Sequence, residues 1–220
     1  MIVQIADVLD KATVAEFRST IAANPDAFDD GAKTAGWHAK QVKRNEQATG
    51  DAARQLTERA ARLLLAHPVF KAAAYPKRFV KILVSRYRPG MSYGTHVDDA
   101  LMSGIRTDLS FTLFLSEPQD CDGGALVVEG MDGDNEVKLP AGSLVLYPTT
   151  TLHRVSEVTR GERLAIVGWV RSFIRGHDDR EVLFDLENVI ATLRQQSTAR
   201  ETMNRLLKVK ANLLRKWADD

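Results

Sequence analysis

Phe79-Val80-Lys81-Ile82-Leu83-Val84-Ser85-Arg86-Tyr87, followed by Pro89-Gly90, is the stretch on which the fold turns. β-branched and aromatic side chains crowd it, as they do in a pleated and half-buried strand, and the Pro-Gly pair then reverses the chain. Strand-like runs of the same texture recur downstream at 109–115, 125–129, 136–139, 143–147, 153–158 and 164–173. Turn signals separate them at Glu117-Pro118, Asp122-Gly123-Gly124, Asp132-Gly133-Asp134-Asn135, Pro140-Ala141-Gly142 and Arg160-Gly161. No helical period intervenes. Short strands at this spacing pack as an antiparallel sandwich or jelly roll, because a parallel sheet would need a crossover helix between them.

The period changes on either side of this region. Val8, Val14, Phe17 and Ile21 recur at helical spacing over 7–21, and Leu56, Ala60, Leu63 and Leu64 do so over 51–65, so the first eighty residues read as largely helical. After His177-Asp178-Asp179 the period returns with Val182, Leu186, Val189, Ile190 and Leu193, then with Met203, Leu206, Leu207, Leu213, Leu214 and Trp217. Thr198-Ala199-Arg200-Glu201 has the spacing of a capping box for the second of these helices. The expected chain is α+β. A mostly helical segment (1–77) packs on a jelly-roll core (78–177), and a helical hairpin (178–220) completes the chain. The apolar faces of that hairpin exceed what a small appendage covers, which predicts a homo-oligomer, a dimer being the commonest outcome.

Thirty basic residues balance twenty-nine acidic ones, and both are spread along the 220-residue chain. Such a balance creates no field to gather nucleic acid or an anionic membrane, so the expected partner is a small-molecule or peptidyl substrate. The single cysteine, Cys121, excludes an intrachain disulfide and a Cys-rich zinc site. The N-terminal MIVQIADVLDKATV meets acidic residues early, and no apolar run approaches the ~20 residues that span a bilayer. A soluble, cytoplasmic protein is expected.

Five histidines can be weighed singly. His38 and His67 lack a carboxylate or histidine partner at ligand spacing and read as surface or packed residues. His96-Val97-Asp98 is different: alternate residues of an extended segment face the same way, so both side chains reach one ion. His-x-Asp alone is weak, since it recurs at His177-Asp178-Asp179. That second copy has no histidine after it, and helix N-capping accounts for its aspartates. His153 lies downstream of the first copy, at the start of a later strand. Two histidines and one carboxylate on one face of a metal suit non-haem Fe(II), because three positions stay open for cosubstrate and dioxygen. Arg163, ten residues beyond His153, can pass the Arg160-Gly161 turn into the neighbouring strand and offers a planar fork to a carboxylate.

These residues carry a resemblance. Tyr87-Arg88-Pro89-Gly90-Met91-Ser92-Tyr93-Gly94-Thr95-His96-Val97-Asp98, then Asp122-Gly123-Gly124-Ala125-Leu126, then Pro148 to His153 and Arg163 to Trp169 resemble the prolyl 4-hydroxylase-like branch of the 2-oxoglutarate oxygenases. Within that branch the chain is most similar to the bacterial PKHD-type hydroxylases. The resemblance implies a double-stranded β-helix core, with His96, Asp98 and His153 as iron ligands and Arg163 gripping 2-oxoglutarate. It also implies that Tyr87, Tyr93, Leu126 and Trp169 line the cosubstrate pocket. Some relatives place a tyrosine on the strand after the His-x-Asp turn, whereas 109–115 holds Phe114 and no tyrosine, which puts more weight on Tyr87 as a carboxylate partner or leaves Arg163 with less help. The implied reaction consumes dioxygen and 2-oxoglutarate, releases succinate and carbon dioxide, and hydroxylates a substrate, with L-ascorbate rescuing oxidised iron. Prolyl peptides, small metabolites and siderophores all stand as substrates. Two rivals remain open: a cupin-type metal enzyme with a further ligand near His96, and a non-catalytic iron or 2-oxoglutarate sensor.

Overall fold

Residues 76–87 form one long strand, and the remaining elements are arranged about it. The computed structural model describes residues 1–131 and 133–219. In chain order the strands are β1 Val3–Ile5, β2 Phe28–Asp30, β3 Lys43–Arg44, β4 Glu46–Ala48, β5 Pro76–Tyr87, β6 Ser92–His96, β7 Leu101–Met102, β8 Ile105–Arg106, β9 Leu109–Phe114, β10 Cys121–Gly123, β11 Leu126–Gly130, β12 Gly133–Val137, β13 Leu144–Pro148, β14 His153–Val155, β15 Val158–Gly161 and β16 Arg163–Ser172. The helices are α1 Lys11–Ala22, α2 Gly50–Ala66, α3 Pro68–Ala74, α4 His177–Gln195 and α5 Arg200–Trp217.

Two sheets face each other. The larger runs β1-β13-β9-β16-β5-β4-β2 and the smaller runs β12-β11-β14-β6-β3. From β5 to β16 the chain alternates between them: β5, β9, β13 and β16 lie in the larger sheet, and β6, β11 and β14 in the smaller. This winding is the double-stranded β-helix.

Both faces of the larger sheet are covered, so its central strands read as nearly continuous apolar runs. One face sends Val84, Phe111, Leu113, Leu144, Leu146, Leu164 and Ile166 into a core with Phe17, Leu56, Leu64 and Phe70 of the helices α1–α3. The other face meets the smaller sheet through Tyr87, Phe114, Val145, Tyr147, Leu126, Val128 and Val155. Gly168 is required where it sits, because a Cβ there would lie 2.6 Å from the Phe111 ring.

The N-terminal segment departs from the helical expectation. Between α1 and α2 the chain forms β2, β3 and β4 with two 3₁₀ turns at Gly31–Thr34 and Ala39–Val42. Its strands add to sheet edges, and their polar sequence carries no period from which to read them. The first helix also starts later than residue 7, since Asp10 caps it by accepting a 2.7 Å bond from the Thr13 N–H. The expected turn at 132–135 is corrected too: Gly133, Asp134 and Asn135 pair with Gly130, Glu129 and Val128 as part of β12. Asp132 and Asp220 lie outside the described residues.

At the C-terminus α4 packs on α3 and α5. The buried Arg180 fastens α4 by donating to the carbonyls of Ile174 (2.7 Å) and Arg175 (2.9 Å). The expected capping box does not form, because Ala199 is the N-cap residue of α5 and the Thr198 hydroxyl instead bonds back to the Leu193 carbonyl. His177 and its two aspartates lie inside the first turn of α4, where the carboxylates favour the helix dipole, and Gly176 is the N-cap residue. Past α5 the chain returns to the core: Asp219 pairs with Arg106 at 2.5 Å, and Arg106 also pairs with Asp108 at 2.8 Å. This ties the end of the chain to the β7–β8 hairpin.

Phe111 sits 1% exposed between the rings of Phe70 and Phe79, at centroid distances of 6.1 and 5.9 Å. Phe111→Ala should therefore lower unfolding free energy by about 3–5 kcal/mol, read from urea denaturation.

Candidate active site

The pleat decides which residues line the space between the sheets. Cross-strand neighbours share a face, and the register pairs Arg163 with Tyr87, Ala165 with Ser85 and Trp169 with Lys81 across β16 and β5. It also pairs Trp169 with Ser110 and Val167 with Thr112 across β16 and β9, and Tyr147 with Ser110 across β13 and β9. Polar residues thus occupy the face turned away from the helical core. On the smaller sheet Val128 pairs with His153, and His153 with His96.

His96 ends β6, Asp98 comes two residues later in the loop, and His153 begins β14. Their ligand atoms lie within 4.8 Å of one another, and their side chains are 2%, 6% and 5% exposed. His96 Nε2 is 3.9 Å from Asp98 Oδ1, and His153 Nε2 is 3.7 Å from Asp98 Oδ2. Two donors each ~2.1 Å from one ion can be at most ~4.2 Å apart, so these separations are within the reach of a single metal. The imidazoles are oriented alike, with His96 Nδ1 2.8 Å from the Gly94 carbonyl and His153 Nδ1 3.1 Å from the Thr151 carbonyl. A carbonyl only accepts, so Nδ1 carries the proton and the Nε2 lone pair is left for a metal. Burial first, and then the neighbouring His153, push the His96 pKa down and favour that neutral ring. Ser110 donates to Asp98 Oδ2 at 2.5 Å and holds the carboxylate, while Tyr93 stacks on His96 at 3.6 Å.

Arg163 lines the same cavity. It is 3% exposed, and none of its three side-chain nitrogens has a hydrogen-bond partner among the described residues. Its guanidinium lies over the rings of Tyr87 (5.1 Å) and Phe114 (5.6 Å). Burial lowers its pKa, yet a guanidinium stays charged in proteins, and an uncompensated buried charge costs several kcal/mol. A carboxylate ligand would remove that cost. Asn45, set beside the Tyr87 hydroxyl, and the Gln47 amide nitrogen, buried with no hydrogen-bond partner among the described residues, line the same cavity. Burial raises the Tyr87 hydroxyl to about 12 and holds the Tyr147 hydroxyl well above its ordinary value, so both remain protonated donors.

The residues singled out from sequence converge here: His96, Asp98, His153, Arg163, Tyr87, Tyr93, Leu126 and Trp169 all line this one cavity. His177 is elsewhere, near the N-terminal ammonium at 2.7 Å. His38 is exposed, and His67 caps α3 by accepting from the Phe70 N–H. Arg163 is reached differently from the expected route: β14 lies in the smaller sheet and β16 in the larger, so the chain crosses between sheets after the Arg160-Gly161 turn. Sequence reasoning missed Lys43, Asn45 and Gln47, which come from the short strands of the N-terminal segment and the residue between them. It also missed Ser110, Thr112 and Tyr147. Tyr147 supplies a hydroxyl from β13, one strand beside the place where a tyrosine was sought, and alternation along 143–147 was the signal that could have placed it. Among the described residues no fourth His, Cys, Asp or Glu joins the triad, which removes the feature a cupin-type site would need.

A jelly roll with a buried two-histidine, one-carboxylate cluster and an unpartnered arginine in one cavity defines a class, the 2-oxoglutarate and Fe(II)-dependent oxygenases. The family model for the 2OG-Fe(II) oxygenase superfamily matches residues 82–171, and that for the PKHD-type hydroxylase C-terminal domain matches residues 178–219. A PKHD-type hydroxylase of Parvibaculum lavamentivorans is 51% identical with 100% of both chains covered, and one of Maricaulis maris is 53% identical with 88% of this chain and 89% of that one covered. The chain belongs to the PKHD-type hydroxylase family, and it is a 2-oxoglutarate-dependent dioxygenase. The fold is also that of a prolyl-4-hydroxylase from Pseudomonas putida (TM-score 0.58, 24% identity, 78% of this chain and 92% of that chain). A prolyl hydroxylase of Trichoplax adhaerens, solved with a hypoxia inducible factor peptide fragment, is similar at a TM-score of 0.59, with 17% identity over 77% of this chain and 82% of that chain.

Ser110 tests how the triad is held. Ser110→Ala removes the bond to the Asp98 carboxylate and should weaken Fe(II) binding about 10- to 100-fold, the usual cost of losing a residue that orients a ligand, as measured by anaerobic metal titration.

Proposed function

We propose that His96, Asp98 and His153 hold Fe(II), that Arg163 binds the distal carboxylate of 2-oxoglutarate, and that the substrate enters on the side of the metal away from Arg163. The observation that carries this is the buried, unpartnered guanidinium sharing one cavity with the three metal donors. Fe(II) and 2-oxoglutarate when bound supply the oxidative chemistry, in which dioxygen converts 2-oxoglutarate to succinate and carbon dioxide and a substrate C–H bond to an alcohol.

The chain's part is orientation and exclusion of water. The two Nδ1 bonds and Ser110 set the donor atoms; Tyr87 and Tyr147 present protonated hydroxyls beside Arg163; Leu126 forms an apolar wall; Trp169 and Tyr93 bound the cavity toward its mouth. The catalytic unit is the jelly roll of 78–177, with 1–77 and 178–220 as its additions. L-ascorbate restores Fe(II) after an unproductive turnover. The protein acts in the cytoplasm on a peptidyl or small-molecule substrate, siderophores included. It self-associates, a dimer being favoured, through α5, which has no buried residue and leaves Val209 50% exposed; mass in solution tests this.

His96→Ala, Asp98→Ala and His153→Ala should each abolish Fe(II) binding and succinate formation, while His177→Ala leaves both intact. Equal loss in the His177 variant would overturn the ligand assignment. Arg163→Lys keeps the charge but loses the fork, so 2-oxoglutarate affinity should fall by about 1.5–3 kcal/mol with Fe(II) affinity unchanged.

A further inference from the structure

The cavity that holds Arg163 and the triad adjoins a second, larger one, and the two share a boundary formed by Lys43, Tyr93, Asp98 and Trp169. Of these two cavities Arg163 lines the inner and not the outer, whereas Lys81 and Leu101 line the outer and not the inner. A substrate that reaches the metal through the outer cavity crosses this boundary, on which Lys43 is the one cation.

Lys43 is an unusual residue to find there. It is 7% exposed and forms no ion pair among the described residues; its ammonium donates to the Thr34 hydroxyl at 3.2 Å and lies 5.0 Å from the centre of the Tyr93 ring. Lys81, beside Trp169 in the register, is near enough to repel it and likewise has no ion-pair partner among the described residues. Asp98 and Asp30 attract the Lys43 ammonium from a distance, but neither pairs with it. Lys33 is paired with Asp29 at 3.2 Å, and the Asp98 carboxylate belongs to the metal site. Asp99 stands against Gly36, where a Cβ would lie 2.6 Å from its carboxylate, and forms no ion pair with Lys43 among the described residues. Two cations with no ion-pair partner thus face the space next to the metal, and the buried one forgoes most of its hydration, which natural proteins tolerate when a counter-charge arrives with a ligand. Beyond them two exposed apolar side chains stand at a mouth that is otherwise polar: Leu101, 64% exposed, lines it, and Trp37, 82% exposed, is the residue after Gly36 of the wall.

We infer that the substrate is a carboxylate with an apolar or aromatic body, its acid group held by Lys43 and Lys81 and its body laid against the mouth near Leu101 and Trp37. This rests on the proposed placement of metal and cosubstrate, since it assigns Lys43 to the substrate and not to 2-oxoglutarate. The carboxylate can belong to a free acid or to an acidic side chain of a peptide.

The test uses full-length protein loaded anaerobically with Fe(II) and saturating 2-oxoglutarate. Two matched pairs are titrated by calorimetry and tryptophan fluorescence: 3-phenylpropanoate against 3-phenylpropanamide, and an end-blocked Phe-Glu-Phe peptide against its Phe-Gln-Phe analogue. The acid of at least one pair should bind at least tenfold more tightly than its amide, and the pair that shows the preference identifies the source. Lys43→Met should reduce that preference to less than twofold and Lys81→Met should diminish it, with Fe(II) and 2-oxoglutarate affinities within twofold of the parent. Should Lys43→Met fail to fold, Lys81→Met, altered on a half-buried position of β5, decides the matter alone. Equal binding of acids and amides, or a preference that survives both substitutions, would overturn the inference. A Lys43→Met protein that loses 2-oxoglutarate and keeps the preference would also overturn it and make Lys43 a cosubstrate residue. Absence of Fe(II) and 2-oxoglutarate binding in the parent protein would instead strike the reading of the metal centre, a separate outcome.

Discussion

The register of β16 between β5 and β9 is the constraint on which the site depends. Successive residues of a strand face opposite ways, and both faces of this sheet are buried, so a slip by one residue would exchange Arg163 for Leu164 and Trp169 for Val170. The helical core would then receive a guanidinium, and the cavity would lose its cation. Phe111, Leu113, Ile166 and Val84 on one face hold the register by packing against α1–α3, and the polar face is positioned as a consequence. Packing energy on one side of the sheet thus stabilises an arrangement on the other that could not hold itself.

That other side is costly in the free protein. Arg163, Asn45, the Gln47 amide nitrogen and Lys43 are all buried with few or no partners, an accumulation of polar groups that ordinary cores avoid. They come from both ends of the β core. Lys43 stands on the short edge strand β3 and Gln47 on the short strand β4, one in from the edge, and Arg163 stands on the last strand of the roll. The C-terminal extension contributes at a distance, since Asp219 grips Arg106 at the end of the hairpin whose other strand lines the outer cavity. The helical additions are therefore joined mechanically to the mouth of the site, although neither α4 nor α5 lines it.

Much of this could be read from the chain. Alternation and turn residues between 79 and 173 pointed to the antiparallel core, and the contrast between His96-Val97-Asp98 and His177-Asp178-Asp179 was resolved by the residues downstream of each: a histidine at the start of a strand in one case, a helix in the other. Three readings failed for a common reason. The helix start at 7, the capping box at Thr198 and the turn at 132–135 each rested on residue preference within a few positions, and there a competing local bond or strand pairing prevailed. Asp10 captured the Thr13 N–H, Thr198 bonded backward to Leu193, and the hairpin turned earlier than its Asp-Gly-Asp-Asn run suggested.

What the sequence by itself determined was the set of strands and which residues along each share a face, because a period of two is a property of the extended backbone and needs no partner. It also carried the donor types and their order, through chemistry that admits few alternatives for two imidazoles, a carboxylate and a guanidinium. Only the tertiary structure decided that Lys43, Asn45 and Gln47 join the cavity, that Tyr147 supplies the hydroxyl sought on the adjacent strand, and that Arg163 is left without a partner. Strands of two or three residues have too few positions to display a period. Whether a buried charge is paired depends on every strand that packs around it, so neither could be settled before the sheets came together.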